Sequence, residues 1–371
     1  MSLSSYHAWR MVPSEREATQ PFTFERFAST LPDIKSGEAL VEISACSICG
    51  TDLSYFFGDV PTVAPPPVTL GHEASGRVLR GGGLEGKAVI VPTIIPCRKC
   101  ELCRTGRANR CLHQKMYGGN HGCWGSFASH VVVPASELTV VPDDCQVPLE
   151  RLGVVADAIS TPYQAIRRAR LEGGAKVVVI GAAGGLGVYL VQLAKLLGAA
   201  TVIGIGRDAG KLDALKPYGM DAAIINDGRP VSELRHDIWK ACKSSGTNPR
   251  YSWTIFEASG TVAGQELGLS LLTFASKLVL VGYAPGVVTQ QLSRIMALDA
   301  EIVGSWGSDP HLYPDVLQHV MRGEIAIAPF TETRPMRRIA ESFAELRAGR
   351  KDNRRIVLTA DWKEDSSLPR H

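Results

Sequence analysis

Three residues near the start of the chain carry side chains that bind metal ions: Cys49 in the stretch SICGTD, and His72 and Glu73 in the stretch GHEASG. Thiolate, imidazole and carboxylate groups are the ligands that Zn²⁺ takes in proteins. A zinc site with only three protein ligands keeps a fourth position open for water or a substrate. The residue types therefore mark Cys49, His72 and Glu73 as a candidate metal site.

Four cysteines form a second candidate metal site, in the stretch CRKCELCRTGRANRC. They follow the spacing C-x2-C-x2-C-x7-C, and four thiolates so spaced can close a tetrahedron around Zn²⁺ with no open position. An iron–sulfur cluster is the alternative, but the bacterial ferredoxin pattern ends in x3 and Cys-Pro, which this stretch lacks. We predict a structural zinc bound by Cys97, Cys100, Cys103 and Cys111. We interpret the surrounding cations as local compensation for the thiolates; they are Arg98, Lys99, Arg104, Arg107 and Arg110.

A glycine-rich turn predicts a dinucleotide site. In VVVIGAAGGLGVYL an apolar strand leads into glycines and then into a helical pattern, and the turn matches G-x-G-x-x-G with alanine in first place. The second glycine would let the backbone approach a pyrophosphate, and the third would let the helix pack closely on the strand. The free N–H groups at the helix start favour the anion. We expect cofactor contacts at Ala182, Gly184, Gly185, Leu186 and Gly187; a plain tight turn is the alternative.

The end of the next predicted strand bears on the choice between NAD and NADP. An acidic residue about 20 positions after the turn would bind the ribose 2′-hydroxyl of NAD. Gly206 stands at that place, and Arg207 beside it would suit a 2′-phosphate. The local pattern favours NADP or mixed use, and a solvated loop charge is the alternative for Arg207.

The elements that must position these motifs fall into two kinds. Residues 35–150 contain short β-branched runs between glycines and prolines, which predict an all-β region of barrel or sandwich type. From about residue 161 strands alternate with helical patterns, which predicts a parallel sheet with helices on both faces. Residues from about 306 hold two helical patterns and the strand pattern RRIVLT, which we expect to return to the first domain. The predicted fold class is mixed β and α/β.

Length and charge agree with a soluble two-domain protein. The chain has 371 residues, more than one ordinary core accommodates. Its formal net charge of +3 gives no reason to expect nucleic acid or an anionic membrane as partner. No stretch approaches the ~20 apolar residues of a membrane span, and the N-terminus lacks a secretory pattern. We expect a cytoplasmic protein, in which the nine cysteines form no disulfide framework.

The order of the motifs resembles the zinc-dependent medium-chain dehydrogenases, the family of the alcohol dehydrogenases. The resemblance rests on Cys49-Gly50-Thr51-Asp52, Gly71-His72-Glu73, the four cysteines and the glycine turn. It implies a GroES-like β-barrel catalytic domain at 1–160 with a structural zinc lobe at about 95–113. It also implies a Rossmann domain with a doubly wound parallel sheet at 161–305, and a return to the catalytic domain at 306–371. NAD or NADP, two zinc ions per subunit and a homodimer or homotetramer follow from the same resemblance.

The resemblance assigns roles to the first candidate site. Cys49 and His72 would bind the catalytic zinc, with Glu73 beside the metal. A third zinc ligand is expected shortly before Thr161. Asp157 stands at that position, where other members have cysteine or glutamate. Thr161 is itself an expected cofactor contact. Because a carboxylate donates less electron density than a thiolate, we expect the zinc ion bound by Asp157 to be a stronger Lewis acid than one bound by cysteine at this position. The alternative for Asp157 is that it only caps a helix.

The resemblance also implies a proton relay. Thr51 would pass the proton of a bound alcohol outward while the carbon gives hydride to the nicotinamide. Many members continue the relay through a histidine three residues after the threonine, and this chain has Ser54 there. The outer end of the relay therefore stays open among Ser54, the ribose hydroxyl and water.

The substrate is the least determined feature. The stretches SICGTDLSYFFGDVPTVAPPPVTLGHEASG and MYGGNHGCWGSFASHVVVP resemble the family members that oxidise a ring secondary alcohol, held in a CoA thioester, with NAD in anaerobic benzoyl-CoA breakdown. A free secondary-alcohol or polyol dehydrogenase using NADP is one alternative, and a non-catalytic zinc-stapled nucleotide-binding scaffold is another. The residues expected to line an apolar pocket, or else to belong to the core, are Tyr55, Phe56, Phe57 and Trp124. Candidate partners of a CoA phosphate are Arg167, Arg168, Arg170 and Arg294.

Overall fold

The chain divides into two compact units. The computed structural model describes residues 5–15, 20–62, 64–118, 124–244, 246–350, 352 and 354–362. Unit 1 contains Met1–Ala158, Ser308–Gly323 and Ile327–His371, and unit 2 contains Ile159–Gly307 and Glu324–Ala326. Each unit has its own sheet and its own buried core.

The strands and helices alternate differently in the two units. The strands are β1 Ser5–Pro13, β2 Phe22–Thr30, β3 Glu38–Ser47, β4 Val68–Thr69, β5 Glu73–Gly81, β6 Ala88–Val91, β7 Ile94–Ile95, β8 Lys115–Met116, β9 His130–Pro134, β10 Thr139–Val140, β11 Lys176–Ile180, β12 Thr201–Gly206, β13 Ala222–Ile225, β14 Trp253–Glu257, β15 Lys277–Leu280, β16 Glu301–Gly304, β17 Thr331–Pro335 and β18 Arg355–Thr359. The helices are α1 Gly50–Phe56, α2 Glu101–Arg104, α3 Ser160–Ala169, α4 Gly187–Leu196, α5 Ala209–Asp213, α6 Val231–Ser244, α7 Val262–Leu271, α8 Leu292–Ala297, α9 Tyr313–Met321 and α10 Ile339–Ala348.

Unit 1 is built on a seven-stranded sheet in the order β10-β6-β5-β3-β18-β17, with β9 paired to β3. Its pairings are antiparallel except for the parallel pair of β17 and β18. The C-terminal strand β18 pairs with β3 through Leu358 and Cys46, so the end of the chain completes the sheet of the N-terminal region. A buried cluster that includes Phe56, Phe127 and Phe343 packs in this unit.

Unit 2 is a six-stranded parallel sheet in the order β13-β12-β11-β14-β15-β16. Its strands read as continuous apolar runs, such as KVVVI in β11, because both faces of such a sheet are buried. The order of the strands reverses between β11 and β14, and ligands bind in such sheets at the carboxyl ends of the strands beside this reversal. The glycine turn follows β11 directly. The predicted fold class, mixed β and α/β with a doubly wound parallel sheet, is confirmed.

Candidate active site and metal centres

The four residues of the first candidate metal site come together within unit 1. Cys49 directly precedes α1, His72 and Glu73 stand at the start of β5, and Asp157 follows a short 3-10 helix. One ligand atom from each of the four lies within 4.8 Å of the others. The Asp157 carboxylate lies 3.5 Å from Cys49 Sγ and 3.6 Å from His72 Nε2. The segments are far apart in the chain, and the fold gathers their donors around one point.

The chemistry of this donor set fits zinc. His72 is 1% exposed, and its two ring nitrogens face carboxylates, Nδ1 toward Asp52 at 3.3 Å and Nε2 toward Asp157 at 3.6 Å. Burial disfavours the charged ring, but the carboxylates of Asp52 and Asp157 and the Cys49 thiol outweigh it and raise the pKa of His72. A metal ion would thus compete with a proton for this imidazole, as is usual for protein ligands. Thiolate, imidazole and carboxylate together supply three ligands and leave a fourth position open.

Asp52 is a residue of the site that motif reading did not assign. Its side chain is fully buried, and Oδ1 lies 3.3 Å from His72 Nδ1. The same carboxylate accepts hydrogen bonds from the backbone N–H groups of Cys49, at 2.9 Å, and Gly71, at 3.0 Å. Asp52 thereby contacts the segments of two expected ligands at once. A carboxylate behind the imidazole fixes the ring orientation of a metal-binding histidine.

Thr93 is a second residue that motif reading missed. Its Oγ1 lies 3.0 Å from the backbone carbonyl of His72 and 3.1 Å from that of Ala156, the neighbour of Asp157. The buried hydroxyl of Tyr313 accepts a hydrogen bond from the Thr93 backbone N–H at 3.3 Å. Thr93 therefore ties the two segments that carry the imidazole and the carboxylate.

Glu73 is held by a buried ion pair rather than turned freely toward a metal. Its Oε1 lies 2.6 Å from Arg355 Nη1, and its other oxygen accepts a hydrogen bond from Ser47. Burial raises the pKa of Glu73 to about 7, although the Arg355 guanidinium acts in the opposite direction. The side chains of Glu73 and Arg355 are 0% and 6% exposed, so loss of either partner would leave a buried charge unpaired.

Thr51 lies beside the metal-binding atoms. Its Oγ1 is 3.8 Å from Cys49 Sγ, in the first turn of α1. Four residues further along the same helix, Tyr55 is half-buried, and its burial raises the pKa of the phenol. The helix thus presents a hydroxyl next to the candidate zinc ligands, where the predicted proton relay requires one.

The four cysteines form the second cluster, also in unit 1. Their sulfur atoms lie within 4.8 Å of one another, with 3.5 Å between Cys100 and Cys103 and 3.8 Å between Cys100 and Cys111. Zinc–sulfur bonds of about 2.3 Å in a tetrahedron place sulfur atoms about 3.8 Å apart. Backbone N–H groups of Leu112 and Cys103 lower the pKa of Cys100 to about 6. The geometry fits a closed zinc site.

Arg98 differs from the expectation that it compensates the thiolates. Its Nε donates to Glu137 at 2.8 Å and its Nη1 donates to Asp309 at 2.8 Å. Since both partners are carboxylates, the guanidinium charge is already matched. Arg98 also has a φ of 57°, in the left-handed region. Its contacts anchor the cysteine lobe to the rest of unit 1.

The glycine turn has the close approaches that its sequence predicts. A Cβ added to Gly187 would stand 2.1 Å from the carbonyl oxygen of Gly181, so only glycine fits at the start of α4. Gly184 is exposed, and Ala182 is fully buried beneath the turn. Gly185 and Leu186 complete the turn with intermediate exposure. An exposed glycine before a ten-residue helix has the geometry that an anion cradle of a dinucleotide site requires.

The end of β12 shows how the second strand would meet a ribose. Gly206 ends the strand, and Arg207 after it is exposed. Asp208 is used differently: its Oδ1 accepts a hydrogen bond from Lys211 N at 3.0 Å and caps α5. Of the two charged residues after β12, Asp208 caps α5 and Arg207 does not. Thr161, the remaining expected cofactor contact, lies buried in the first turn of α3.

Some expected substrate contacts lie elsewhere. Phe56 is a core residue, 3% exposed and stacked on Phe24 at 4.4 Å between ring centroids. Trp124 packs against Tyr6 at 5.5 Å, and residues 119–123 before it lie outside the described residues. Arg294 donates to three backbone carbonyls at the end of α7.

Two family models match the chain. The model described as "Alcohol dehydrogenase GroES-like domain" matches residues 35–143, and "Zinc-binding dehydrogenase" matches residues 185–322. Among curated relatives, sorbitol dehydrogenase of Bombyx mori is 27% identical, with 86% of this chain and 91% of the relative covered. D-arabitol-phosphate dehydrogenase of Enterococcus avium is 26% identical, with 86% and 90% covered.

A solved structure shares the fold. A protein of Sinorhizobium meliloti 1021 described as a "putative zinc-binding dehydrogenase" and solved bound to NADP superposes with a TM-score of 0.81 at 23% identity, covering 96% of this chain and 100% of its own. Across the described residues, no helix combines the length and apolar character needed to cross a membrane.

Proposed function

This chain belongs to the zinc-dependent medium-chain alcohol dehydrogenase family, and from that premise we propose that it oxidises a secondary alcohol to a ketone at Cys49, His72 and Asp157. The observation that carries the proposal is the convergence of thiol, imidazole and carboxylate within 4.8 Å in unit 1. Unit 2 would bind NAD or NADP at the turn of Gly184 and Gly187. The enzyme is an NAD(P)-dependent oxidoreductase that acts on CH–OH groups.

The residues of unit 1 perform three tasks in this reaction. Cys49, His72 and Asp157 would hold a zinc ion, which would supply the Lewis acidity that lowers the pKa of a bound alcohol. Asp52 holds the imidazole in the orientation that presents Nε2 to the metal. Thr51 Oγ1 accepts the proton of the substrate hydroxyl and passes its own proton outward.

Glu73 and Arg355 are charged residues that lie next to the metal-binding residues without binding the metal themselves. Their buried ion pair keeps a carboxylate close to the metal-binding atoms without an uncompensated charge. Thiolate, carboxylate and neutral imidazole already neutralise a dication. We therefore assign Glu73 a place beside the metal and not a permanent bond to it.

For the substrate we propose 6-hydroxycyclohex-1-ene-1-carbonyl-CoA, oxidised to 6-oxocyclohex-1-ene-1-carbonyl-CoA in anaerobic benzoyl-CoA degradation. Its support is the resemblance of the stretches around Cys49 and around Trp124. Arg294 is not part of this proposal, because its guanidinium caps α7. Arg167 and Arg168 stay candidates for a CoA phosphate, whereas Arg170 pairs with Glu301 at 2.6 Å.

A free polyol or secondary alcohol, with NADP as oxidant, is the second candidate substrate class. The specific observations in its favour are the name of a relative, sorbitol dehydrogenase, and the exposed Arg207 after the end of β12. Hydride transfer to the nicotinamide is common to both candidates.

One assay separates the candidates. The zinc-loaded protein is offered NAD or NADP with sorbitol, with simple secondary alcohols and with the hydroxycyclohexenoyl thioester, while absorbance of the reduced nicotinamide is followed. Reduction with the thioester alone supports the CoA substrate, and reduction with free alcohols supports the polyol candidate. Reduction with none of them contradicts the dehydrogenase proposal and favours a nucleotide-binding scaffold.

We also propose that the protein is a homodimer or homotetramer that pairs through β16. This strand lies at the edge of the parallel sheet, and its Ile302 is 41% exposed. Tyr283, Leu292 and Met296, which follow β15, are each more than two-thirds exposed although apolar. Light scattering on the Ile302→Glu variant should show a smaller mass than the parent; an unchanged mass contradicts pairing at this edge.

A further inference from the structure

A cavity of about 510 Å³ lies in unit 2, away from the glycine turn. Its floor is apolar and comes from the sheet and from α6, with Val178, Ile238, Trp253 and Ile255 among its lining residues. These four side chains belong to the buried core of unit 2. The cavity is therefore a place where the core stays open to solvent, and its size lies within the range of small-molecule pockets.

The rim of the cavity is cationic and aromatic. Arg235, Arg250 and Arg294 line it, and no carboxylate is among the lining residues. Trp239 and Phe274 complete the rim and are 48% and 62% exposed. Within the described part of the chain, no ion pair joins any of the three guanidinium groups to an acidic side chain.

Two of these cations share one backbone acceptor. Arg294 donates to the carbonyls of Leu269, Ser270 and Leu272, and Arg235 donates to the Ser270 carbonyl as well. The carbonyls at the end of α7 carry only a partial negative charge. Burial lowers the pKa of Arg235, and the charge of Arg294 lowers it further. A guanidinium group has five N–H donors, so most donors of Arg235 remain available to a ligand.

A separate observation concerns Thr273. Its hydroxyl oxygen is buried and has no hydrogen-bond partner, and the residue lines the same cavity. A buried hydroxyl without a partner is costly unless a ligand or water completes it. The apolar floor, the cationic rim and the unpaired hydroxyl together fit an organic anion with an apolar body.

We propose that this cavity binds an amphipathic carboxylate, whose apolar part lies on Trp253 and Ile255 and whose carboxylate bridges Arg235 and Arg250. The aromatic ring of Trp239 closes the site from one side, with the Arg250 guanidinium 5.8 Å from its centroid. Because all the lining residues belong to unit 2, the site is distinct from the metal centre of unit 1. The proposal does not depend on the substrate of the dehydrogenase.

The test is calorimetric titration of the zinc-loaded full chain with octanoate, octanol and acetate. We expect octanoate to bind, acetate to give no heat, and octanol to bind at least about tenfold more weakly, since it lacks the charge-assisted hydrogen bonds. Arg235→Gln and Arg250→Gln should each weaken octanoate binding about tenfold. Lys240→Gln is the matched control, an exposed cation on α6 that does not line the cavity, and should leave binding unchanged.

Three results would overturn the proposal. Octanol binding as tightly as octanoate would reduce the site to an apolar groove without anion recognition. Octanoate affinity that survives both arginine variants would place the anion elsewhere, at the metal or the nucleotide site. If circular dichroism shows that the parent chain is folded and the chain does not bind octanoate, the site is excluded. None of these outcomes bears on alcohol oxidation, which is measured separately.

Discussion

Asp52 Oδ1 lies 3.3 Å from His72 Nδ1, and both side chains are almost completely buried. The two residues stand on different segments, one in the first helix and one directly before β5. The remaining ring nitrogen of His72 therefore points at the side of Cys49 and Asp157, where the metal-binding atoms meet.

This relationship predicts the effect of Asp52→Asn on metal affinity. The amide keeps the shape but removes the charge that stabilises the imidazole orientation, and such outer partners are worth 10- to 100-fold in affinity. We expect zinc to leave the unit 1 catalytic site about 10- to 100-fold more readily in a chelator competition. Asp59→Asn is the matched control, because Asp59 pairs with Arg347 on an exposed surface. Equal zinc retention by both variants would contradict a role for Asp52.

Local patterns predict the fold, which the structure confirms, and they predict two of the candidate sites. The run KVVVI followed by glycines predicts β11 and its turn, because strand, turn and helix are adjacent in the chain. The four cysteines lie within one short stretch, so their spacing alone predicts the zinc lobe. The resemblance to the family predicts Cys49 and His72 as ligands, whereas their convergence with Asp157 is a property of the fold.

Long-range partners could not be predicted from the sequence. Arg355 stands 282 residues from Glu73, and nothing in either neighbourhood indicates that they pair. The sequence leaves open whether Phe56 lines a pocket or belongs to the core, and the structure places it in the core of unit 1. Arg98 lies among the cysteines, yet its side chain pairs with Glu137 and Asp309, which are carboxylates from two other segments. Each case depends on tertiary geometry that motif spacing does not contain.

The four-cysteine site predicts that substitution of one of its cysteines removes one zinc ion per chain and leaves the other bound. Cys103→Ser removes one of four thiolates from a closed tetrahedral site, and such sites contribute directly to folding. We expect zinc content to fall from about two to about one ion per chain, with a lower midpoint of thermal unfolding. Cys145→Ser serves as control, since Cys145 lies in neither cluster. Retention of two zinc ions by Cys103→Ser would contradict the assignment.

The position of Thr51 predicts that its substitution lowers kcat and leaves zinc binding unchanged. Thr51→Val keeps the shape of the side chain but cannot carry a proton, whereas Thr51→Ser can. General acid–base groups contribute about 10²- to 10⁴-fold, so kcat of the valine variant should fall by that order while zinc content stays constant. Steady-state kinetics with each variant provide the measurement. The serine variant should recover most of the rate, and equal losses in both variants would show a steric role instead.

Arg207 predicts cofactor preference. Arg207→Gln removes the cation that would bind a 2′-phosphate, and charge-assisted bonds of this type are worth about tenfold or more. We expect kcat/KM for NADP to fall about tenfold while the value for NAD changes little. Lys216→Gln, an exposed cation of the same unit, should change neither value. A parallel loss for both cofactors would indicate that Arg207 stabilises the loop and does not read the ribose.

His130 predicts how stability depends on pH. It is 1% exposed, and Nδ1 lies 2.9 Å from Ser129 Oγ. Burial lowers the pKa of His130 from 6.5 to about 4, although the Glu42 carboxylate acts in the opposite direction. Between these values the unfolded chain binds the proton and the folded chain does not, so stability is complete above about pH 6.5 and declines as the pH falls toward 4. From pH 7 to pH 5 this group costs about 2 kcal/mol of unfolding free energy. Urea unfolding at both pH values should show that loss in the parent and a correspondingly smaller loss in His130→Asn, and parallel losses in the two proteins would assign the pH dependence to other groups.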